Sequence, residues 1–181
     1  MRYELLFAGF GGQGIIKSAL LFSEAAGVQK NYEIAQSQSY GPEARGGACK
    51  SEVVLSDNFI DYIKVIDVNA FMVMSQPAYD KYYERIDPDK TIVVADTTLI
   101  EQVHNNIQKC YTVEATRIAE EELGRTLFAN IVMLGALSAV TQVVDLEDLE
   151  KSLVGNVPDK TLEKNKQALR RGYDIVSAYL K

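Results

Sequence analysis

Apolar positions along the chain fall into short unbroken runs and longer helical stripes, and the two kinds alternate from the start, as they do when helices pack on the faces of a sheet. Tyr3 to Ala8 is apolar and is cut off by Gly9, which suits an inner strand of a parallel sheet. From Ile15 onward Ile16, Ala19, Leu20, Ser23 and Ala26 recur at helical spacing, with Gly27 placed to stop the helix. Tyr32 to Gln36 predicts a second strand. Cys49 to Ser56 alternates like a strand with one wetter face, and Asp57-Asn58 predicts a turn into Phe59 to Ile63, hence a β-hairpin. Ala70 to Met74 and Thr91 to Ala95 are further inner strands. Between them Ser75 is a candidate N-cap and Pro77 suits an early helical position, for a helix over Ala78 to Glu84.

The C-terminal part reads as mostly helical. Cys110 to Val113 could be a last short strand, followed by an acidic helix over Thr116 to Leu123. Phe128 to Val143 is apolar around most of its circumference, which predicts a buried helix. Asn130 is the exception, and a buried amide must find partners in the fold or on a ligand. Leu146 to Val154 is a short amphipathic helix, the turn Gly155 to Pro158 stops it, and Thr161 to Leu180 forms a final helix. The fold class expected is α/β: one three-layer α/β/α domain over residues 1–181, with a mixed, mainly parallel sheet and a β-hairpin.

The first candidate for chemistry is the turn Gly9-Phe10-Gly11-Gly12-Gln13-Gly14 between the first strand and the first helix. Its glycines permit φ > 0 and close approach of another molecule, and a helix N-terminus presents unpaired N–H groups to an anion. The spacing satisfies the dinucleotide fingerprint, but that fingerprint also needs an acid at the end of the second strand. Here the only acid, Glu33, lies near the start and the end is Gln36-Ser37, so a dinucleotide site is disfavoured. A turn that simply lets strand and helix pack closely is the plain alternative.

The second candidate is Ser37 to Ala48, which has neither helical nor strand period. Gly41-Pro42 and Gly46-Gly47 mark sharp changes of direction, and Tyr40, Glu43 and Arg45 bring a phenol, a carboxylate and a guanidinium together. Arg45 can act as a fork for a phosphate or carboxylate. A solvated turn with an internal Glu43–Arg45 pair is the alternative. Asp96 ends a strand on the side where open α/β sheets bind ligands, though a loop cap is the commoner role there. The lone His104 lies in a polar stretch and reads as exposed, neither a base nor a metal ligand.

Composition narrows the classes. A charged fraction of 24% and a hydrophobic fraction of 47% are those of an ordinary globule, and a net charge of −6 argues against a nucleic-acid partner. Cys49 and Cys110 are too few for an iron–sulfur cluster or a Cys-rich zinc site, and each reads as a buried small hydrophobe. No basic leader precedes the first strand and no apolar run is long enough to span a bilayer, so the cytoplasm is the simplest location and no membrane is involved.

Taken together, GFGGQG at 9–14 and QSQSYGPEARGGACKSEVVLS at 36–56 resemble the gamma subunit, or domain, of the thiamine-diphosphate-dependent 2-oxoacid:ferredoxin oxidoreductases. Within that family SYGPEARGG resembles the 2-oxoglutarate type, and pyruvate-type gamma chains differ in this loop. The likeness continues through Asp61-Tyr62, Ser75-Gln76, ANIVMLGAL at 129–137, and Val157-Pro158 with Asn165. The resemblance implies conversion of a 2-oxoacid, coenzyme A and oxidised ferredoxin to acyl-CoA, carbon dioxide and reduced ferredoxin. It implies that thiamine diphosphate, Mg2+ and the iron–sulfur clusters sit on partner subunits (alpha, beta and a ferredoxin-like delta), and that no catalytic residue lies in this chain alone. No acidic Gly-Asp-Gly motif for a magnesium diphosphate occurs here. By similarity, Gly9, Gly11, Gly12, Gln13 and Gly14, the run Tyr40, Gly41, Pro42, Glu43, Arg45, Gly46 and Gly47, and Asn130 would face the substrate, CoA or an interface. The alternatives are a family member for another 2-oxoacid, such as indolepyruvate, pyruvate or a branched-chain acid, and a stand-alone Gly-loop nucleotide-binding module.

Overall fold

A computed structural model describes residues 1–39 and 48–180. One sheet of six strands, in the order β2-β3-β1-β4-β5-β6, runs through the molecule. The strands are β1 (Arg2–Phe10), β2 (Glu33–Gln38), β3 (Ala48–Ser56), β4 (Ala70–Val73), β5 (Ile92–Asp96) and β6 (Lys109–Val113). β1, β4, β5 and β6 are parallel, whereas β3 lies antiparallel between β1 and β2. The sheet is mixed, as the sequence predicts.

The antiparallel component has a different origin from the predicted hairpin. β3 pairs with β1 from Arg2↔Ser56 to Phe10↔Ala48 and with β2 from Glu33↔Ser56 to Gln38↔Ser51. Both of its edges are therefore taken, and Phe59 to Ile63 finds no strand to join and forms none. The expected wetter face of β3 is likewise covered, since almost every residue of Ala48–Ser56 is buried. Side chains divide by the two-residue period of a strand: Leu5, Phe7, Val53, Leu55 and Met72 face one layer, and Leu6, Ala8, Val54, Phe71 and Val73 the other.

The helical layers are unequal. Among the described residues one face carries only α2 (Gln76–Tyr82), continued by a tight turn over Tyr83–Arg85. Ser75 is its N-cap by position but makes no side-chain capping bond. The other face carries α1 (Ile15–Glu24), α3 (Ala115–Glu121), α4 (Ala129–Thr141), α5 (Leu146–Leu153) and α6 (Asp159–Ser177). α1 does not stop at Gly27; it widens into a π-type turn over Ala25–Gln29, and Asn31 takes the left-handed conformation instead (φ 58°). Asparagine tolerates that region better than other side-chain-bearing residues. Leu20, predicted on the buried stripe, is 41% exposed, and Ser18 and Phe22 are buried in its stead.

α4 is buried from Ala129 to Ala139 because it lies between the sheet, its helical neighbours and α6. The α4–α6 crossing is fixed by two glycines that fit against each other's helix. A Cβ on Gly135 would stand 1.9 Å from the Leu169 carbonyl oxygen, and one on Gly172 would stand 1.8 Å from that of Val132. Backbone lies against backbone there.

Residues 57–69 form a loop tied down at its main chain. Arg2 donates to the carbonyls of Tyr62 (2.8 Å) and Lys64 (3.1 Å), Arg85 to Val65 (3.1 Å), and Thr91 to Val68 (2.7 Å). Glu4, only 4% exposed, accepts from Arg2 (2.5 Å) and from the N–H groups of Ile66 and Asp67. Glu52, buried in β3, pairs with Lys50 (2.8 Å) and Arg85 and accepts from Ser37 Oγ (3.1 Å). Burial works to raise the Glu52 pKa, but the two cations outweigh it and hold the carboxyl below the usual carboxylate range.

Each arrangement carries a measurable consequence. Gly135→Ala or Gly172→Ala should lower stability by about 3 kcal/mol, read from the denaturant midpoint, because backbone rather than a flexible side chain must give way. Arg85→Met should cost about 2 kcal/mol at neutral pH. A depressed folded-state pKa contributes stability above the ordinary carboxylate value and loses it on acidification, so the gap between wild type and Arg85→Met should close as the pH falls below about 4.5.

Candidate functional site

The carboxyl ends of the parallel strands form a rim, and the turn Gly9 to Gly14 stands on it between β1 and α1. Gln13 closes that turn. Its Oε1 accepts from the Phe10 N–H (2.6 Å) and its Nε2 donates to the Met74 carbonyl (2.9 Å), which clasps the ends of β1 and β4 together. Gly9 leaves room for the clasp, since a Cβ there would lie 2.5 Å from Gln13 Oε1. Gly14 is left-handed (φ 76°) and caps α1. The first bond within α1 runs from Ser18 N to Gly14 O (2.9 Å), so the N–H groups of Ile15, Ile16 and Lys17 have no partner within the helix.

Asn130, at the start of α4, meets this turn directly. Its Nδ2 donates to Gly14 O (3.2 Å) and Ser18 Oγ (3.1 Å), and a Cβ on Gly14 would come within 2.5 Å of that nitrogen. The amide finds its partners in the fold. Hollows surround the turn: one of about 450 Å³ toward Phe10 and Cys49, one of about 320 Å³ toward Met74 and Leu127, and one of about 310 Å³ between Gly14, Asn130 and Val157.

Tyr40, Gly41, Pro42, Glu43, Arg45, Gly46 and Gly47 lie outside the described residues. Their flanks do not. Ala48 pairs with Phe10, Cys49 with Gly9, and Ser39 N donates to Lys50 O (3.1 Å), so both ends of that stretch sit on the rim that carries the glycine turn. β3 also separates β2 from β1, so the end of β2 is not the neighbouring position from which an acid holds a ribose in a dinucleotide fold.

The sequence profile of the pyruvate ferredoxin/flavodoxin oxidoreductase family matches residues 4–175. The chain belongs to this family. A 2-oxoglutarate synthase subunit KorC of Methanocaldococcus jannaschii is 45% identical over 97% of this chain and 94% of its own length. Among solved structures, a keto/oxoacid ferredoxin oxidoreductase gamma subunit from Geobacter sulfurreducens superimposes with a TM-score of 0.89 at 35% identity, covering 98% of each chain. The 2-oxoglutarate:ferredoxin oxidoreductase of Magnetococcus marinus, solved with 2-oxoglutarate, coenzyme A and succinyl-CoA, shares the fold with a TM-score of 0.83 at 22% identity, over 98% of this chain and 31% of its own.

The remaining candidates of this family member fall away from the turn or are used up by the fold. Asp96 is fully buried and accepts from Thr98 N (3.1 Å), Thr116 N (3.2 Å) and Thr116 Oγ1 (2.5 Å), the loop-cap role. His104 is exposed on the α2 side, stacked on Tyr83 (3.8 Å between centroids) and bonded through Nδ1 to the Tyr79 hydroxyl (2.9 Å). Cys49 borders the hollow beside Phe10, and burial pushes its thiol pKa up, away from a reactive thiolate. Cys110 is half-buried in β6 and burial pushes its thiol up too. Among the described residues no three His, Cys, Asp or Glu side chains converge as a metal site. Sequence reasoning missed Lys17, Arg125, Lys160 and Lys164, which line the hollow next to Asn130 and its extension. Lys160 and Lys164 are one helical turn apart on α6, but only the α1–α4–α6 packing brings Lys17 and Arg125 to them.

The contact between Gly14 and Asn130 can be measured. Gly14→Ala should cost about 2 kcal/mol, through left-handed strain and the clash with Nδ2. Asn130→Ala removes the clash along with its hydrogen bonds, so the double variant should be less destabilised than the sum of the single ones, by about 1 kcal/mol in a double-mutant cycle.

Proposed function

We propose that this chain is the gamma subunit of a 2-oxoglutarate:ferredoxin oxidoreductase. In that reaction the bond between the carboxylate carbon and the oxo carbon breaks with loss of carbon dioxide, the succinyl carbonyl carbon bonds to the CoA sulfur as the thiol releases its proton, and the two electrons pass one at a time to oxidised ferredoxin. Similarity to a 2-oxoglutarate synthase subunit over nearly the whole of both chains carries this reading. Thiamine diphosphate, Mg2+ and the iron–sulfur clusters belong on partner subunits (alpha, beta and a ferredoxin-like delta), and the complex works in the cytoplasm. Among the described residues no helix is long and apolar enough to cross a membrane.

The part of this chain is geometric. The clasped turn Gly9, Gly11, Gly12, Gln13 and Gly14, held by Asn130, offers rigid main-chain N–H groups and hollows to the substrate, to CoA or to a partner subunit. Arg45 belongs to the same proposal on its chemistry, as a fork for an anionic group. Purified alone, the chain should oxidise no 2-oxoacid. Isolated from its cell, it should come down with a thiamine-diphosphate chain and a ferredoxin-type chain. That assembly should reduce ferredoxin with 2-oxoglutarate and CoA in preference to pyruvate, indolepyruvate or branched-chain 2-oxoacids. Turnover by the single chain, or a preference for another oxoacid, would overturn the reading.

A further inference from the structure

Four large apolar side chains left open to water fall within residues 59–66: Phe59, Tyr62, Ile63 and Ile66 are 85, 49, 56 and 64% exposed. Phe59 is the most exposed large apolar side chain among the described residues. The segment does not lack inward positions, since Ile60, Val65 and Val68 already pack into the layer on the α2 side. Its main chain is held by Arg2, Glu4, Arg85 and Thr91. The four side chains therefore stand on a backbone fixed in advance, which lowers the ordering cost of covering them.

Counted outward from a point between Tyr62 and Ile63, the segment reads alike in both directions. Apolar Tyr62 and Ile63 come first, then the charged pair Asp61 and Lys64, then inward-facing Ile60 and Val65, then apolar Phe59 and Ile66. Only the sign of the charge differs between the two halves. Asp61 and Lys64 are both exposed, and neither forms an ion pair among the described residues. Two copies laid antiparallel about a two-fold axis at that point set Phe59 against Ile66, Tyr62 against Ile63 and Asp61 against Lys64, each contact occurring twice. One step further out Asp67 falls opposite Asn58, an amide, so no like charges oppose. A chain of different sequence would have no use for this symmetry.

We propose that residues 59–66 form an isologous contact with a second copy of this chain, apolar at its centre and flanked by two reciprocal Asp61–Lys64 pairs. The segment joins the end of β3 to the start of β4, at the end of the sheet where β1 begins. The rim with the glycine turn lies at the other end and stays open in the pair. The contact goes beyond the reaction assigned above and does not depend on it.

The test is sedimentation velocity of the full chain over about 1 to 100 μM, across which monomer should give way to dimer. Asp61→Lys and Lys64→Asp should each weaken self-association about tenfold or more, because like charges then meet twice. The charge-swapped double variant should recover it. So should a mixture of the two single variants, in which the mixed pair again opposes opposite charges. Phe59→Ser should weaken the dimer whatever the charges. These side chains are exposed, so the thermal midpoint of the dilute chain should not move with any of the substitutions. A chain that stays monomeric, a dimer indifferent to the single variants, or a double variant as weak as either single one overturns the contact. So do variants that lose only their association with other chains, which would assign the segment to a different subunit.

Discussion

The fit between Gly14 and the amide of Asn130 is the constraint from which the rest of the rim follows. A left-handed residue without a side chain is needed to cap α1, and the space that its missing Cβ leaves is filled by Asn130 Nδ2. That nitrogen then donates to the Gly14 carbonyl and the Ser18 hydroxyl, so a helix beginning at residue 129 is pinned to a turn more than a hundred residues earlier. The other side of the turn is pinned by Gln13 to the end of β4. Glycine here serves a rigid junction rather than a flexible one.

This rigidity distinguishes the turn from a nucleotide-binding loop of similar sequence. In the doubly wound dinucleotide fold, adjacent parallel strands bring an acidic residue beside the glycine turn. In this chain an antiparallel strand occupies that neighbouring place, and its start pairs with Phe10. The space beside the turn is given to β3 and the flanks of residues 40–47. The N-terminal ends of α1, α4 and α6 border a separate hollow, where Lys17, Arg125 and Lys160 gather.

Much of this was legible in the sequence, because strand and helix periods are local properties. All six strands of the sheet and every long helix fall close to where the apolar spacing puts them, and the family likeness is carried by contiguous motifs. What failed was non-local. Phe59 to Ile63 has strand-like composition, but whether it forms a strand depends on whether an edge is free, and β1 and β2 had already taken both edges of β3. Gly27 looks like a helix stop, yet Asn31 supplies one further on. Asn130 stood out in the sequence because a lone amide interrupts an apolar stripe. Lys160 and Arg125 interrupt nothing, and only tertiary packing shows that they share a wall.

The crossing at Gly135 and Gly172 bears on how that wall can respond to a guest. With main chain touching main chain, α4 and α6 have no side-chain cushion along which one could slide past the other. The segments leading into them, around Leu127 and Pro158, are thus the two jaws of a single casting. Anything entering there must suit the gap as built or tilt both jaws together against the sheet, because the width of the opening is set by a crossing about two helical turns into α4 and about four into α6.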